Sequence, residues 1–445
     1  MLNRSGPLSH ALPGIGVWLG RLVGADDVIA VRVFFLVLAV LSVYAVYLLG
    51  RETLRARWAG VAAALALVSL GGFVHYATDG PREKTPMVLF LALALLATVR
   101  RRWWWAGFWV SIGTLTFQPG FASAIVGVAA GVLLLEERGR RPRAAVAVTV
   151  SGLLPLAAFL VWYAALGELR YFLDCFVLIH VRYTEQSGAL THLTWTWEEL
   201  DRGYGATRWV LVLGTAAIVA GALWVASRAA LRADPRGRAV LVLGIATLGG
   251  LVWSVRAFNG WPDAFILVPM TAVGVPVLLT PLVGARDSRR AILVTAGWAV
   301  VALALAVTFA LGRRTDDLTR QREQAAAVEE VLGPDATYLS MEGPAFLVLT
   351  DRVNPLRDQM YGLGLTDYID ATRPGGLAGV AGWVEEQRPT LITKGRFTDN
   401  DWIQPVLERD YERCARDLET SWWVSTTAGP EACARIGEIV GKAPR

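Results

Sequence analysis

Charge is scarce in this chain: 18% of its residues are Asp, Glu, Lys or Arg, against about 25% in soluble domains. Histidine occurs four times and cysteine three times, as Cys175, Cys414 and Cys433. No CxxC or zinc-ligand pattern is present, and His180 and His192 do not share a helical ligand spacing, which argues against a zinc site. The chain has no GxSxG, no GxxxxGK[ST], no HExxH and no Rossmann glycine pattern in strand context. These absences argue against the corresponding hydrolase, P-loop, metalloprotease and dinucleotide chemistries. No acidic relay lies inside the apolar stretches, as a proton-coupled transporter would need. The first 27 residues lack a basic n-region and a long apolar core, so they are not a signal peptide.

What the chain has is apolar sequence in long runs. Hydrophobic residues make up 54% of it, with 18 tryptophans, and the mean hydropathy is +0.43. Ten stretches fit membrane helices: 29–50, 58–76, 86–99, 104–117, 120–135, 145–166, 207–227, 238–256, 263–283 and 291–311. A spanning helix needs ~20 apolar residues, so the third and fourth are short. Arginine clusters fall on every second loop: Arg51/Arg55/Arg57, Arg100/Arg101/Arg102, Arg138/Arg140/Arg141/Arg143, Arg228/Arg232/Arg236/Arg238 and Arg286/Arg289/Arg290. Short basic loops stay cytoplasmic. The pattern predicts a multi-pass protein of the plasma membrane with both termini of this chain extracytoplasmic. The net charge of +5 follows from the same loops, and no nucleic-acid partner is expected.

The expected fold class is an all-α polytopic membrane domain of about ten helices plus a small C-terminal extracytoplasmic α/β domain. Residues 1–28 form an outer-surface amphipathic segment, with Leu12, Ile15, Leu19, Leu22 and Val23 at helical spacing. Residues 29–311 form the transmembrane domain, with outer loops 77–86, 167–207 and 256–262. Residues 313–445 form the α/β domain. Its expected helices are Asp316–Leu332, Leu377–Gln387 and Glu431–Val440, and its expected strands Thr337–Leu339, Thr390–Thr393 and Trp422–Val424. Cys414 and Cys433 lie in this domain and are candidates for a disulfide.

Four loop segments carry candidate chemistry. The first, His75 to Pro86, packs Asp79, Arg82, Glu83 and Lys84 between two apolar helices. Charge at membrane depth is costly, so such residues line a cavity or pair. Arg82 offers a planar fork and Lys84 a point charge to a phosphate. Asp79 is the acidic candidate, for acceptor positioning or metal. An ordinary hydrophilic turn, with Glu83 paired to a basic neighbour, is the alternative. The second segment, 167–207, holds His180 and Arg182 together with Glu185, Trp195, Trp197 and Glu199. Phe172, Phe176, Val177 and Ile179 there predict a surface-lying helix. The third is the turn after Arg256, and the fourth is Gln118-Pro119 between two spans. Asp26 and Asp27 read as a helix cap and first-turn acid.

Short stretches carry a family resemblance: Ser5-Gly6-Pro7-Leu8-Ser9, Leu12-Pro13-Gly14, Asp79 to Pro86, Trp105-Ala106-Gly107 running to Phe117-Gln118-Pro119, and Asp351 to Pro355. The chain resembles the GT-C glycosyltransferases, and within them the actinobacterial dolichol-phosphate-mannose mannosyltransferase-like proteins, related to the protein mannosyltransferase and aminoarabinose transferase group. The resemblance implies transfer of a hexose, mannose first, from a polyprenyl-phosphate donor to a protein or glycan acceptor at the outer face, with membrane lipid as surroundings. Arg82 and Lys84, with Arg182 and Arg256 behind them, are the candidates for holding the donor phosphate, His75, Gln118 and His180 for substrate contacts, and Asp79 is the remaining acidic catalytic candidate; no residue of this chain is assigned the general base. In this superfamily an acidic motif after the first span supplies the general base. The chain is expected to begin after that helix and loop. No cofactor is assigned; a divalent metal stays open because the family varies in metal dependence. A catalytically incomplete membrane scaffold, or a lipid-linked-sugar flippase or ligase, is the alternative reading.

Overall fold

The computed structural model describes residues 6–183, 188–190, 192–284, 287–312, 318–362, 364–396, 398, 401–416 and 420–441. Ser5, Glu185, Arg286 and Asp316, named above, lie outside them. The chain divides into two compact units.

The larger unit is helical. It begins with α1 (Leu8–Leu22), α2 (Asp27–Leu54), α3 (Arg57–Ser69), α4 (Gly71–Thr78), α5 (Lys84–Val99), α6 (Trp103–Thr116), α7 (Gly120–Leu135) and α8 (Arg141–Ala165). After α9 (Leu169–Leu173) come α10 (Leu193–Tyr204), α11 (Arg208–Ser227), α12 (Ala229–Ala233), α13 (Pro235–Arg256), a 3-10 turn at Trp261–Ile266, α14 (Val268–Val283) and α15 (Arg289–Gly312). Among the described residues, five helices are long and apolar enough to cross a membrane: Asp27–Leu54, Arg138–Ala165, Leu193–Ser227, Pro235–Arg256 and Arg289–Gly312. The α3–α4 pair makes a sixth span if its members are taken together. α5, α6, α7 and α14 are shorter apolar helices of 14 to 16 residues.

The α3–α4 pair corrects one expectation. The stretch 58–76 reads as one continuous helix, yet it bends by 69°. Gly71 and Gly72 follow the break at Leu70. A Cβ on Gly71 would lie 2.3 Å from the Phe309 ring, and one on Gly72 would lie 2.8 Å from the rings of Trp261 and Tyr204. The missing side chains admit those rings. The Gly71 N–H, freed by the break, donates to Thr207 Oγ1 at 3.0 Å. A helix kinks where its backbone groups find other partners.

At the start of α2, Asp26 Oδ1 accepts from the Ile29 N–H at 3.0 Å, and Asp27 pairs with Arg21 at 2.6 Å. The reading of this pair as cap and first-turn acid agrees with that geometry. α1 packs on α2 through small residues: a Cβ on Gly20 would lie 2.2 Å from Ala30 Cβ. Its Ile15, Trp18, Leu19 and Leu22 stay exposed, as suits a helix lying in a membrane interface.

The smaller unit holds α16 (Leu318–Leu332), β1 (Tyr338–Met341), α17 (Ala345–Leu349), α18 (Leu365–Thr372), α19 (Gly376–Gln387), β2 (Leu391–Gly395), α20 (Gln404–Asp410), β3 (Tyr411–Arg416), β4 (Thr420–Ser425) and α21 (Pro430–Gly441). The sheet order is β1-β2-β4-β3, with β1 and β2 parallel and the other pairs antiparallel. Tyr338, Leu391 and Val424 pack against Val328 of α16 and Ile436 of α21 on one face. Cys414 of β3 and Cys433 of α21 form a disulfide. The strip Asp174–Tyr183, a π-helical continuation of α9, groups with this unit. Within it the Tyr368 hydroxyl donates to Asp174 Oδ2 at 2.9 Å, and Tyr183 meets the Tyr368 ring edge-on. The expected surface-lying helix over 172–179 is therefore split: Phe172 and Ile179 are buried and Val177 is exposed.

Candidate functional site

The turn between α4 and α5 is the point where charge, aromatic rings and a broken helix meet. The 69° bend turns α4 away from the axis of α3. α4 carries His75 and Tyr76 and ends on Asp79, which is its C-cap. Gly80, with φ at 128°, then turns the chain, a conformation that costs glycine little. Lys84 opens α5.

Around this turn the rings of Tyr76, His75, Phe265 and Tyr204 surround Trp261. Tyr76 and Trp261 lie 4.8 Å apart, Tyr204 and Trp261 5.8 Å, and His75 and Trp261 6.0 Å, while Tyr76 and Phe265 are 5.3 Å apart. The 3-10 turn that carries Trp261 and Phe265 also carries Asp263. The Trp261 N–H donates to Glu199 Oε2 at 3.3 Å, which ties the turn to α10. The hydroxyls of Thr85 and Tyr204 are buried with no hydrogen-bond partner among the described residues. An unpaired buried hydroxyl costs about 1–3 kcal/mol, so this is a polar place that packing alone does not satisfy.

The four charges of the turn have different fates. Lys84 Nζ pairs with Asp263 Oδ1 at 2.7 Å; the two side chains are 11% and 15% exposed. Asp263 Oδ2 accepts from the Asn259 N–H at 2.7 Å, and Lys84 sits over the Phe117 ring at 4.9 Å. The expectation that Glu83 pairs with a basic neighbour is corrected here: the acid that reaches Lys84 comes from 179 residues away. Arg82 is exposed and lies over the Tyr76 ring at 5.3 Å. Its guanidinium has no carboxylate partner among the described residues. Asp79 is 40% exposed, and its Oδ2 is 3.8 Å from His75 Nε2.

The sequence reading missed Arg32. It lies in α2 within the first apolar stretch and is half-buried. A Cβ on Gly80 would stand 4.0 Å from the Arg32 Cγ. Among the described residues Arg32 makes no ion pair, hydrogen bond or ring contact. The available signal was an arginine inside an apolar helix, which marks a functional position by default; the arginine clusters of the loops drew attention away from it. Asp263 was likewise seen only as part of a turn.

The structure thus brings together His75, Asp79, Arg82 and Lys84 and adds Arg32 and Asp263. Gln118 follows Phe117, whose ring Lys84 covers. Arg256 is exposed at the end of α13, five residues before Trp261. His180 and Arg182 lie in the π-helical strip that belongs to the smaller unit, His180 half-buried and Arg182 exposed. Among the described residues no group of three or more His, Cys, Asp or Glu is placed to hold a metal ion.

The sequence model of the dolichyl-phosphate-mannose-protein mannosyltransferase family matches residues 15–163. That stretch includes α2, Arg32 and the whole α4–α5 turn. No curated protein matches in sequence. In structure the chain is similar to ArnT from Cupriavidus metallidurans, solved bound to undecaprenyl phosphate, with a TM-score of 0.62 at 15% identity, covering 96% of this chain and 89% of that one. The apo state of the same protein gives a TM-score of 0.61 at 14% identity with the same coverage. The mycobacterial arabinofuranosyltransferase AftD is matched at a TM-score of 0.47 and 15% identity, over 93% of this chain and 35% of that one. Apolar helices, a small C-terminal sheet unit and the structural match agree on the fold, which is GT-C-like, and residues 15–163 match the mannosyltransferase family model.

Proposed function

We propose that this chain transfers a hexose, mannose first, from a polyprenyl-phosphate donor to a protein or glycan acceptor at the extracytoplasmic face of the plasma membrane. The observation that carries the reading is the gathering of Arg32, Arg82 and Lys84 at the Gly80–Lys84 turn, with one carboxylate, Asp263, engaged by Lys84. The family segment at 15–163 and the fold shared with a protein solved with undecaprenyl phosphate support a lipid phosphate as the anion.

The reaction is a displacement at the anomeric carbon. The acceptor oxygen forms a bond to that carbon as the bond to the phosphate oxygen breaks. The bonding pair leaves with the polyprenyl phosphate, and the acceptor proton passes to a carboxylate. Charge builds on the leaving phosphate, so fixed cations beside it lower the barrier. Arg32 and Arg82 supply forked donors, and Asp263 holds Lys84 in place as a point charge. Asp79, open to solvent beside His75, positions the acceptor. The half-buried rings of His75 and Tyr76, backed by the buried Trp261, suit a sugar face.

The test is polyprenyl-phosphate binding to the chain in lipid nanodiscs, followed by transfer of labelled mannose. Arg32→Ala and Arg82→Ala each remove a charge-assisted contact of about 1.5–3 kcal/mol, so affinity should fall roughly tenfold to a hundredfold. Arg82→Lys should not restore it, because the fork is lost. Wild-type affinity in all three variants would remove the turn from the donor site and return the scaffold reading.

A further inference from the structure

At the opposite end of α5 the structure contains a second feature of charge and apolar surface. α5 and α6 meet in the turn Arg100–Arg102, where Arg101 adopts φ 55° and the Arg102 N–H donates to Ala97 O at 2.8 Å. Between the two helices lies a groove of about 240 Å³. Leu93 and Ala97 line one wall, Trp105 and Trp109 the other, and Arg100 and Arg102 stand at the mouth. Phe90, Trp109 and Trp105 stack in sequence, at 5.7 Å and 6.1 Å, and stiffen the aromatic wall.

The charge at the mouth is not balanced. Glu52 Oε1 accepts from both Arg51 and Arg100 at 2.8 Å, so one carboxylate serves two arginines. Arg101 and Arg102 are exposed and form no ion pair among the described residues. An apolar slot with surplus cations at its rim has the two-part chemistry of a phospholipid: a hydrocarbon chain below and a phosphate above. The groove is too small for an α-helix, about 10–12 Å across, so a partner helix does not fit. It is not the donor phosphate site either. Sixteen residues of α5 at a rise of about 1.5 Å place its arginine mouth roughly 24 Å from Lys84.

We propose that this groove is a binding site for an anionic phospholipid of the leaflet that the arginine clusters face, with one acyl chain between Leu93, Ala97, Trp105 and Trp109 and the phosphate on Arg102. The guanidinium fork suits phosphate oxygens.

Native mass spectrometry of the full chain, released from detergent with phosphatidylglycerol or phosphatidylcholine of identical chains, tests this. Wild type should retain the anionic lipid about tenfold over the neutral one, as expected for a charge-assisted contact. Arg102→Glu, at an exposed position, should bring the ratio close to one. Leu93→Trp should fill the slot and lower retention of both lipids, with a thermal melt in neutral detergent to show that it folds. Arg138→Glu, an exposed arginine of another cluster, is the control and should leave the ratio unchanged. Equal retention of the two lipids by wild type would overturn the proposal. So would an unchanged ratio in Arg102→Glu, or a fall in Arg138→Glu as large as in Arg102→Glu.

Discussion

At the scale of single residues, the ion pair of Lys84 decides what a substitution there would measure. Its charge stands at the site, but it is a buried ion pair with Asp263 rather than a solvated loop cation. Removing one partner of such a pair strands the other charge, at about 3–5 kcal/mol. Asp263→Asn should therefore lower the melting temperature sharply, and Lys84→Met combined with Asp263→Asn should recover most of it. The double variant should still bind polyprenyl phosphate weakly, which separates the charge from its structural role. Tyrosines in the smaller unit make a second residue-scale prediction. Burial pushes Tyr361 and Tyr411 above their ordinary range, and burial together with the hydrogen bond to Asp174 pushes Tyr368 up to about 12. A folded-state value above the unfolded one, about 10, gives stability that is complete below that pH and is lost as the pH rises through the folded value. Thermal melts of the full chain should hold steady to about pH 10 and fall beyond it, and Tyr368→Phe should make that fall shallower. An identical alkaline profile in the variant would contradict the assignment of this shift to Tyr368.

At the scale of elements, the helical unit depends on close approach. α11 and α14 cross where a Cβ on Gly274 would lie 1.8 Å from Gly214 O, and one on Gly214 would lie 2.4 Å from Thr271 O. Small residues let membrane helices gain packing contacts that lipid does not offer. Backbone cannot yield as a side-chain tip can, so Gly274→Ala should cost about 1–3 kcal/mol through overpacking. A melt in detergent checks it; Gly297→Ala, where a Cβ meets nothing within 4 Å, should be neutral. The elements also show what pattern reading captures. Three strands of the small sheet were expected within a few residues of their places, because Tyr338, Leu391 and Trp423 carry β-type apolar sequence. β3 was not expected. Its sequence, Tyr411–Arg416, is charged and mostly exposed because it is an edge strand, and edges carry charge to prevent pairing with other chains. Its place in the sheet comes from pairing with β4 and from the bond between Cys414 and Cys433.

At the scale of the whole molecule, the arginine alternation predicts which side each loop faces. In a Cys175→Ser background, Thr78→Cys should react in intact cells with a membrane-impermeant thiol reagent, and Ser288→Cys should react only after permeabilisation. Both positions are exposed; the reverse pattern would invert the orientation and move the proposed chemistry to the cytoplasm. By itself the sequence determined the class: long apolar stretches demand helices that satisfy their own backbone in lipid, and the Asp79–Lys84 charges between two such stretches pointed to the candidate site. Periodicity and composition are local properties, and these conclusions need nothing more. Tertiary structure alone decided the bend at Leu70, the convergence of Arg32 on Gly80 and the partner of Lys84. Each depends on groups far apart in the chain, Thr207 for Gly71, Gly80 for Arg32 and Asp263 for Lys84, and no local pattern records which distant side chain will arrive beside a buried charge or a freed N–H.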